Sequence, residues 1–170
     1  SQPARIQFLR QLRRRAPERA APLLQSTWKD ESPEDRSSFL AELAVGLGPA
    51  DEPFLESALA DKRKEVRQTA ARLLSRLPGS AYVRRMADRV RPLLSFTAGQ
   101  SGSALKLKRA QRPLLEATLP AACDAEMQRD GVEARPPAGT GEKAWWLIQM
   151  LEAAPLRTWT DAWSAAPDEI

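Results

Sequence analysis

Apolar residues recur at spacings of three and four along most of the chain, and proline, glycine or a small polar residue bounds each run. Ile6, Leu9 and Leu12 predict a helix over residues 3–15, with Arg10, Arg13, Arg14 and Arg15 gathered toward its C-terminal end, where the macrodipole favours cations. Leu23, Leu24 and Trp28 mark a second short helix between Glu18 and Trp28. Ser32-Pro33-Glu34-Asp35 reads as an N-cap, a proline at the first helical position and carboxylates in the first turn. The helix it opens runs through Phe39, Leu40 and Leu43 and stops at Gly46-Leu47-Gly48-Pro49. Asp51-Glu52-Pro53 starts a fourth, with Phe54, Leu55, Ala58 and Leu59 as its buried stripe. Asp61 is positioned to cap a fifth over 63–77, whose apolar face is Val66, Ala70, Leu73, Leu74 and Leu77. Pro78-Gly79-Ser80 ends that helix and caps a sixth, in which Val83, Met86, Ala87, Val90 and Leu94 repeat. Short helices joined by short turns predict a mainly α chain, built as an α-solenoid of antiparallel helices rather than as a bundle of long ones.

The period changes after Leu94. Leu93 to Thr97 and Ala104 to Lys108 alternate apolar and polar residues around Ala98–Ser103, and Leu114 to Leu119 could add a third strand. A small β-hairpin or loop is therefore expected over 95–119, inserted between helical repeats at 1–94 and C-terminal helices at 120–170, all within a single domain spanning 1–170. Helical spacing returns at Ala121–Arg129 and again from Glu142, and Trp159 and Trp163 stand one turn apart.

The segment PPAGTGEKAWW, residues 136–146, has the glycines, threonine and lysine of a phosphate loop. Such a loop needs a preceding strand, a longer glycine span and a Ser or Thr directly after the lysine. Here Lys143 is followed by Ala144. The segment reads instead as a helix entrance, with Pro136-Pro137 extended, Thr140 as N-cap and Glu142 in the first turn.

Two resemblances follow from the residues. The stretch Asp61-Lys62-Arg63-Lys64-Glu65-Val66-Arg67-Gln68-Thr69-Ala70-Ala71-Arg72-Leu73-Leu74 resembles the second half of a HEAT repeat, with its Asp, its Val-Arg pair and its paired small residues and leucines. A faint period of about thirty residues relates it to the Phe39-Leu40/Leu43 stripe, as stacked helix pairs require. The runs DEPFLESALADKRKEVRQTAARLLSRLPGSAYVRRMADRVRPLL and LEATLPAACDAEMQRDGVEARPPAGTGEKAWWLIQML resemble an uncharacterised bacterial family, a domain of unknown function with HEAT-like helices. Genes of that family often lie beside those for AAA-type ATPases, von Willebrand A-domain proteins and SWIM zinc-finger proteins. The resemblance spans roughly residues 50–155. It implies a cytoplasmic interaction partner and a longer parent chain, and it carries no activity or catalytic residue. Ser1 at the start, and a helical pattern that stops after Trp163, also leave room for a longer chain.

Composition removes several chemistries. There is no histidine and one cysteine, Cys123, so Ser-His-Asp and Cys-His nucleophile systems and imidazole or all-thiolate zinc sites are not available. The lone cysteine, the absence of a signal-peptide pattern and the absence of a long apolar run predict a cytoplasmic protein. Cys123, next to Asp124 and Glu126, reads as a small buried residue rather than a nucleophile. No cofactor is expected.

Charge carries the functional signal. Residues 1–30 hold 7 basic and 2 acidic groups, 31–61 hold 1 and 8, 62–112 hold 14 and 2, and 113–170 hold 4 and 10. A net charge of +4 thus conceals an intensely basic middle third. Its candidate anion- or partner-binding residues are Arg63, Arg67, Arg72, Arg76, Arg84, Arg85, Arg89, Arg91, Lys106, Lys108, Arg109 and Arg112. Arg63 and Arg67, Arg72 and Arg76, and Arg85 and Arg89 lie one turn apart, a spacing at which like charges repel, so an anionic partner would explain them. Solvated faces, or pairing with the acidic segments 31–61 and 113–133, would also explain them, and basic helix faces are common. Few aromatics interleave with the cations, which disfavours single-strand nucleic-acid binding. Trp145 and Trp146 are candidate partner anchors, with at least one ring expected in the core.

These features predict a non-enzymatic protein–protein interaction scaffold that presents a basic helical face to an acidic partner. The alternative is a DNA- or RNA-binding HEAT-like module. More remotely, HEAT-like helices build alkylpurine DNA glycosylases, for which Asp51, Glu52 or Asp61 would supply the acid and Trp145, Trp146 and Trp159 the rings. Neither a membrane nor a metal partner is expected.

Overall fold

The computed structural model describes residues 2–99 and 113–164. Among them are nine α-helices and one two-stranded antiparallel sheet. The helices are α1 Gln2–Arg15, α2 Ala20–Thr27, α3 Pro33–Glu42, α4 Glu52–Ala58, α5 Lys64–Leu74, α6 Ala81–Val90, α7 Ala125–Arg129, α8 Glu142–Ala153 and α9 Arg157–Trp163. The strands are β1 Leu94–Thr97 and β2 Leu114–Ala117. No helix among the described residues is long and apolar enough to cross a membrane.

The helix starts follow local chemistry. Ser32 accepts a hydrogen bond from the Asp35 N–H at 3.1 Å, with Pro33 behind it at the first helical position. Ser80 accepts from the Val83 N–H at 3.2 Å and donates to the Leu74 carbonyl at 3.1 Å, so one hydroxyl closes α5 and opens α6. Asp124 caps α7 through the Met127 N–H at 2.8 Å.

Two expected caps are placed differently. Thr140 does not cap α8: the N-cap is Gly141, without a side-chain bond. The Thr140 N–H closes a turn onto the Pro137 carbonyl at 3.2 Å, and Gly139 takes the left-handed position in that turn with φ +85°. Asp61 likewise stands outside α5, whose N-cap is Arg63. It accepts from the Arg63 backbone N–H at 2.9 Å and from Arg36 Nη1 at 3.0 Å, joining the entry of α5 to α3. The region after Leu74 is a tight turn rather than the last turn of α5.

Packing follows the apolar stripes. Helix α3 lies between α1 and α5, α4 packs on α5, and α6 packs on α8. Phe39, Leu40, Leu43, Leu55, Leu59, Val66, Ala70, Leu74, Met86, Val90 and Met150 have almost no exposed surface. In β1, Leu94 and Phe96 are half-buried and Ser95 and Thr97 exposed, the alternation of a strand with one covered face. Its partner is the third expected run, with Leu94 opposite Ala117 and Phe96 opposite Leu115. The expected strand at Ala104–Lys108 lies outside the described residues. Phe96 stacks on Trp163, and Trp163 on Trp159, each with ring centroids 5.3 Å apart, which fixes α9 to the sheet.

Arg13 is wholly buried and uses every guanidinium nitrogen. It pairs with Asp51 at 2.8 Å through both Nη1 and Nη2, and donates to the carbonyls of Pro17, Leu43, Val45 and Gly46 at 2.6–3.0 Å. Leu43, Val45 and Gly46 follow α3, where carbonyls lack intrahelical partners. Arg13 therefore closes the C-terminal end of α3, and Asp51 balances its charge.

Candidate functional site

The basic segment 62–112 divides into cations that hold the fold and cations that face outward. Arg85 and Arg89, one turn apart on α6, converge on Asp130, which has no exposed surface. Arg85 donates through Nε and Nη2 to the two Asp130 oxygens at 3.1 Å each, and Arg89 Nη1 donates at 2.6 Å. Arg129 adds a third guanidinium at 3.1 Å. On its other side Arg85 binds Glu56 of α4 at 3.0 and 3.2 Å. The like-charge spacing on α6 is thus balanced from two directions by carboxylates from segments 31–61 and 113–133.

These partners set the ionisation of the cluster. Burial pushes the Asp130 carboxyl up, but hydrogen bonds from Arg85 and Arg89 more than reverse this and hold it below the usual carboxylate range. Burial pushes Tyr82 up, and its hydroxyl donates to the Asp130 carbonyl at 3.1 Å.

The chain after Asp130 is fixed by a Schellman turn. The Gly131 N–H donates to the Gln128 carbonyl at 3.1 Å and the Val132 N–H to the Met127 carbonyl at 2.9 Å, with Met127 and Val132 both in the core. Gly131 has φ +87°, and a Cβ there would stand 2.8 Å from the Ala71 Cβ. Glycine is required both for the conformation and for the approach to α5.

That turn forms one wall of a groove along α5. Two recesses of about 220 and 380 Å³ share Gln68, Gly131, Val132 and Glu133. The first adds Lys64, Arg67 and Arg135; the second adds Arg72, Ser75, Tyr82, Trp145, Gln149 and Glu152. Lys64, Gln68 and Arg72 succeed one another at i, i+4 along the α5 rim. Lys64 pairs with Glu133 at 3.1 Å, and Gln68 also donates to Glu133. Arg67 donates to the carbonyls of Asp61 and Lys62 at 2.9 and 3.1 Å. Arg72 is exposed and has no ion pair among the described residues.

The two tryptophans at the entrance of α8 differ in kind. Trp146 is buried and its Nε1 donates to the Ala134 carbonyl at 2.9 Å. Trp145 is half-buried, lines the groove, and its Nε1 is enclosed without an acceptor among the described residues. Gln149 braces the groove wall, accepting from the Glu133 N–H at 2.7 Å and donating to the Glu133 carbonyl at 3.1 Å.

The structure thus gathers Arg67, Arg72 and Trp145 at one groove and leaves the other expected residues elsewhere. Arg63 and Arg76 are exposed, Arg84 donates to the Gly79 carbonyl, and Arg91 pairs with Asp88 at 3.0 Å. Lys106, Lys108, Arg109 and Arg112 lie outside the described residues. Each carboxylate considered for acid chemistry has a structural partner: Asp51 holds Arg13, Glu52 accepts from the Ala81 N–H at 2.7 Å, and Asp61 holds Arg36. Burial pushes the Cys123 thiol up, away from the reactive thiolate. Gln68, Glu133 and Gln149 had no signal in the sequence, because they meet only when the turn after α7 closes on α5 and α8.

The sequence model of a family described as "Family of unknown function (DUF5691)" matches residues 1–170. The chain belongs to this family. Comparison with curated proteins and with solved structures gives no match. Within a DUF5691 chain, then, the groove between α5 and α8 is assigned on its own chemistry.

Proposed function

We propose that this chain is a non-enzymatic protein-binding scaffold, and that the groove between α5 and α8 takes an extended acidic segment of a partner protein. The observation that carries the reading is the meeting of Arg72, unpaired among the described residues, with the half-buried Trp145 ring in one recess. Tryptophan and arginine are both enriched at energetically dominant interface positions. Gln68 lines the same recess; one of its amide N–H groups binds Glu133, and the amide oxygen is available to a peptide backbone. The order of neighbours, with α3 between α1 and α5, favours a HEAT-like stack. Multiprotein gene clusters of the kind implied by the resemblance also favour a protein partner.

A nucleic-acid reading is favoured by Arg63, Arg72, Arg76 and Arg84, which are exposed. It is weakened by α6, where Arg85 and Arg89 are held by Asp130 and Glu56 and so interrupt a cationic track along the phosphates. The two readings separate in one titration series. Labelled duplex DNA, single-stranded DNA and a displayed library of extended acidic peptides are presented to the chain and to Arg72→Glu at two salt concentrations. Selective peptide capture, weakened about tenfold or more by Arg72→Glu, supports the scaffold. DNA binding with steep salt dependence and no peptide capture supports the alternative.

A further inference from the structure

A second recess, of about 390 Å³, lies between α1 and α2, far in sequence from the α5–α8 groove. Leu9, Leu24 and Phe39 line it from the core, and Phe8 and Leu23 line it from the surface. Phe8 is 59% exposed and Leu23 42%, although their chain neighbours Leu9 and Leu24 are buried. Large apolar side chains left open around a cavity are a recognition feature rather than ordinary surface. The volume exceeds the roughly 150 Å³ that holds a benzene ring, so more than one apolar side chain can enter.

Charge at one end selects the occupant. Arg15 lies two turns beyond Phe8 on the same stripe of α1, and Arg19 precedes Leu23 by one turn at the start of α2. Arg14, Arg15 and Arg19 have no ion pair among the described residues, whereas Arg5, Arg10 and Arg13 are paired with Glu31, Glu42 and Asp51. Only Glu18 opposes them in the connecting turn. Neither α1 nor α2 contains an acidic residue. A second copy docking through these helices would leave the arginines unmatched. A concave apolar floor also suits helix side chains better than a lipid surface, which needs apolar groups that project.

We propose that the α1–α2 recess is a docking site for an amphipathic helix of a protein partner. The helix places apolar residues spaced three and four apart over Leu9, Leu24 and Phe39, and its acidic residues lie toward Arg15 and Arg19. This site stands apart from the α5–α8 groove and does not rest on the reading given to it.

The test is selection from a displayed library of amphipathic helices on the full chain, with the apolar stripe fixed and the flanking positions varied among Glu, Lys, Ser and Gln. The expected ligands carry Glu clustered at one end. Their affinity falls tenfold or more in Phe8→Ser with Leu23→Ser, while Arg72→Glu leaves it unchanged. Both replaced residues are surface-exposed, and an unchanged circular dichroism spectrum and Tm confirm folding. In Arg15→Glu with Arg19→Glu, selection switches to Lys-bearing helices. Absence of enrichment over the Phe8→Ser, Leu23→Ser variant overturns the proposal, as does a consensus without charge preference. Co-sedimentation with equimolar phosphatidylcholine–phosphatidylglycerol vesicles that the same variant abolishes makes the recess a lipid-facing surface and equally overturns it.

Discussion

Arg85 and Asp130, 45 positions apart, are joined by two hydrogen bonds of 3.1 Å, and Asp130 has no contact with solvent. This pair binds α6 to the turn that forms the groove wall. Removing a buried carboxylate from beneath Arg85 and Arg89 takes from Arg89 its short ion pair and leaves Arg85 with Glu56 alone. Asp130→Ala is expected to lower stability by about 3–5 kcal/mol, read from urea unfolding at neutral pH. The pH dependence has a definite sign. Because the folded-state carboxyl titrates below its unfolded value of about 4, its contribution is complete above that pH and is lost as pH falls through the lower folded value. The stability gap between wild type and Asp130→Asn therefore narrows on acidification below about pH 4, and a gap that widened there would refute the assignment.

The Arg13–Asp51 pair makes a stronger demand on Arg13 than on Asp51. Asp51→Ala strands a buried guanidinium and is expected to cost about 3–5 kcal/mol. Arg13→Ala also deprives the carbonyls of Pro17, Leu43, Val45 and Gly46 of a donor, so its loss is the larger. Thermal unfolding of the two variants orders them, and equal losses would mean that the carbonyls find water instead.

Gly131 and Gly139 share a positive φ but differ in surroundings. At Gly139 no atom of the described residues lies within 4 Å of an added Cβ, so Gly139→Ala meets the backbone penalty of about 1–2 kcal/mol. At Gly131 the added carbon meets Ala71 at 2.8 Å, adding about 1–3 kcal/mol of overpacking. Gly131→Ala should unfold at clearly lower urea than Gly139→Ala; equal midpoints would show that the turn does not press on α5.

Trp145 and Trp146 offer an internal comparison. Replacement by Phe removes a similar ring volume from each, but at Trp146 it also orphans the Ala134 carbonyl, while at Trp145 it removes an enclosed donor that has no acceptor among the described residues. Trp146→Phe should therefore be the less stable of the two by about 1–3 kcal/mol. The reverse order, measured by urea unfolding, would place the indole N–H of Trp145 in a bond that supports the fold.

What the sequence conveys depends on how far apart the interacting residues lie. Ser32-Pro33 and Ser80 are legible because a cap acts over three residues, and the stripes of α3, α5 and α6 are legible because burial is periodic. The stacking of Trp159 and Trp163 follows from one helical turn. Arg13–Asp51 and Arg85–Asp130 carry no such local mark: their partners are brought together by packing, so arginines that hold the fold look the same as those that face a partner. Thr140 is misleading for a related reason. The proline pair and Gly139 turn the chain one residue before the helix, which moves the cap to Gly141. The groove itself is visible only as its ingredients, the α5 cations and Trp145, because its far wall depends on Gly131 reaching Ala71.

In the proposed complex Arg72 receives a carboxylate of a partner segment seated over Trp145. A double-mutant cycle tests it most directly, pairing Arg72→Glu in the chain with Glu→Lys at each acidic position of a peptide selected on the wild type. One exchanged pair is expected to recover binding lost in both single variants, with a coupling of about 1 kcal/mol or more. Additive losses at every position, with no recovery, would contradict it.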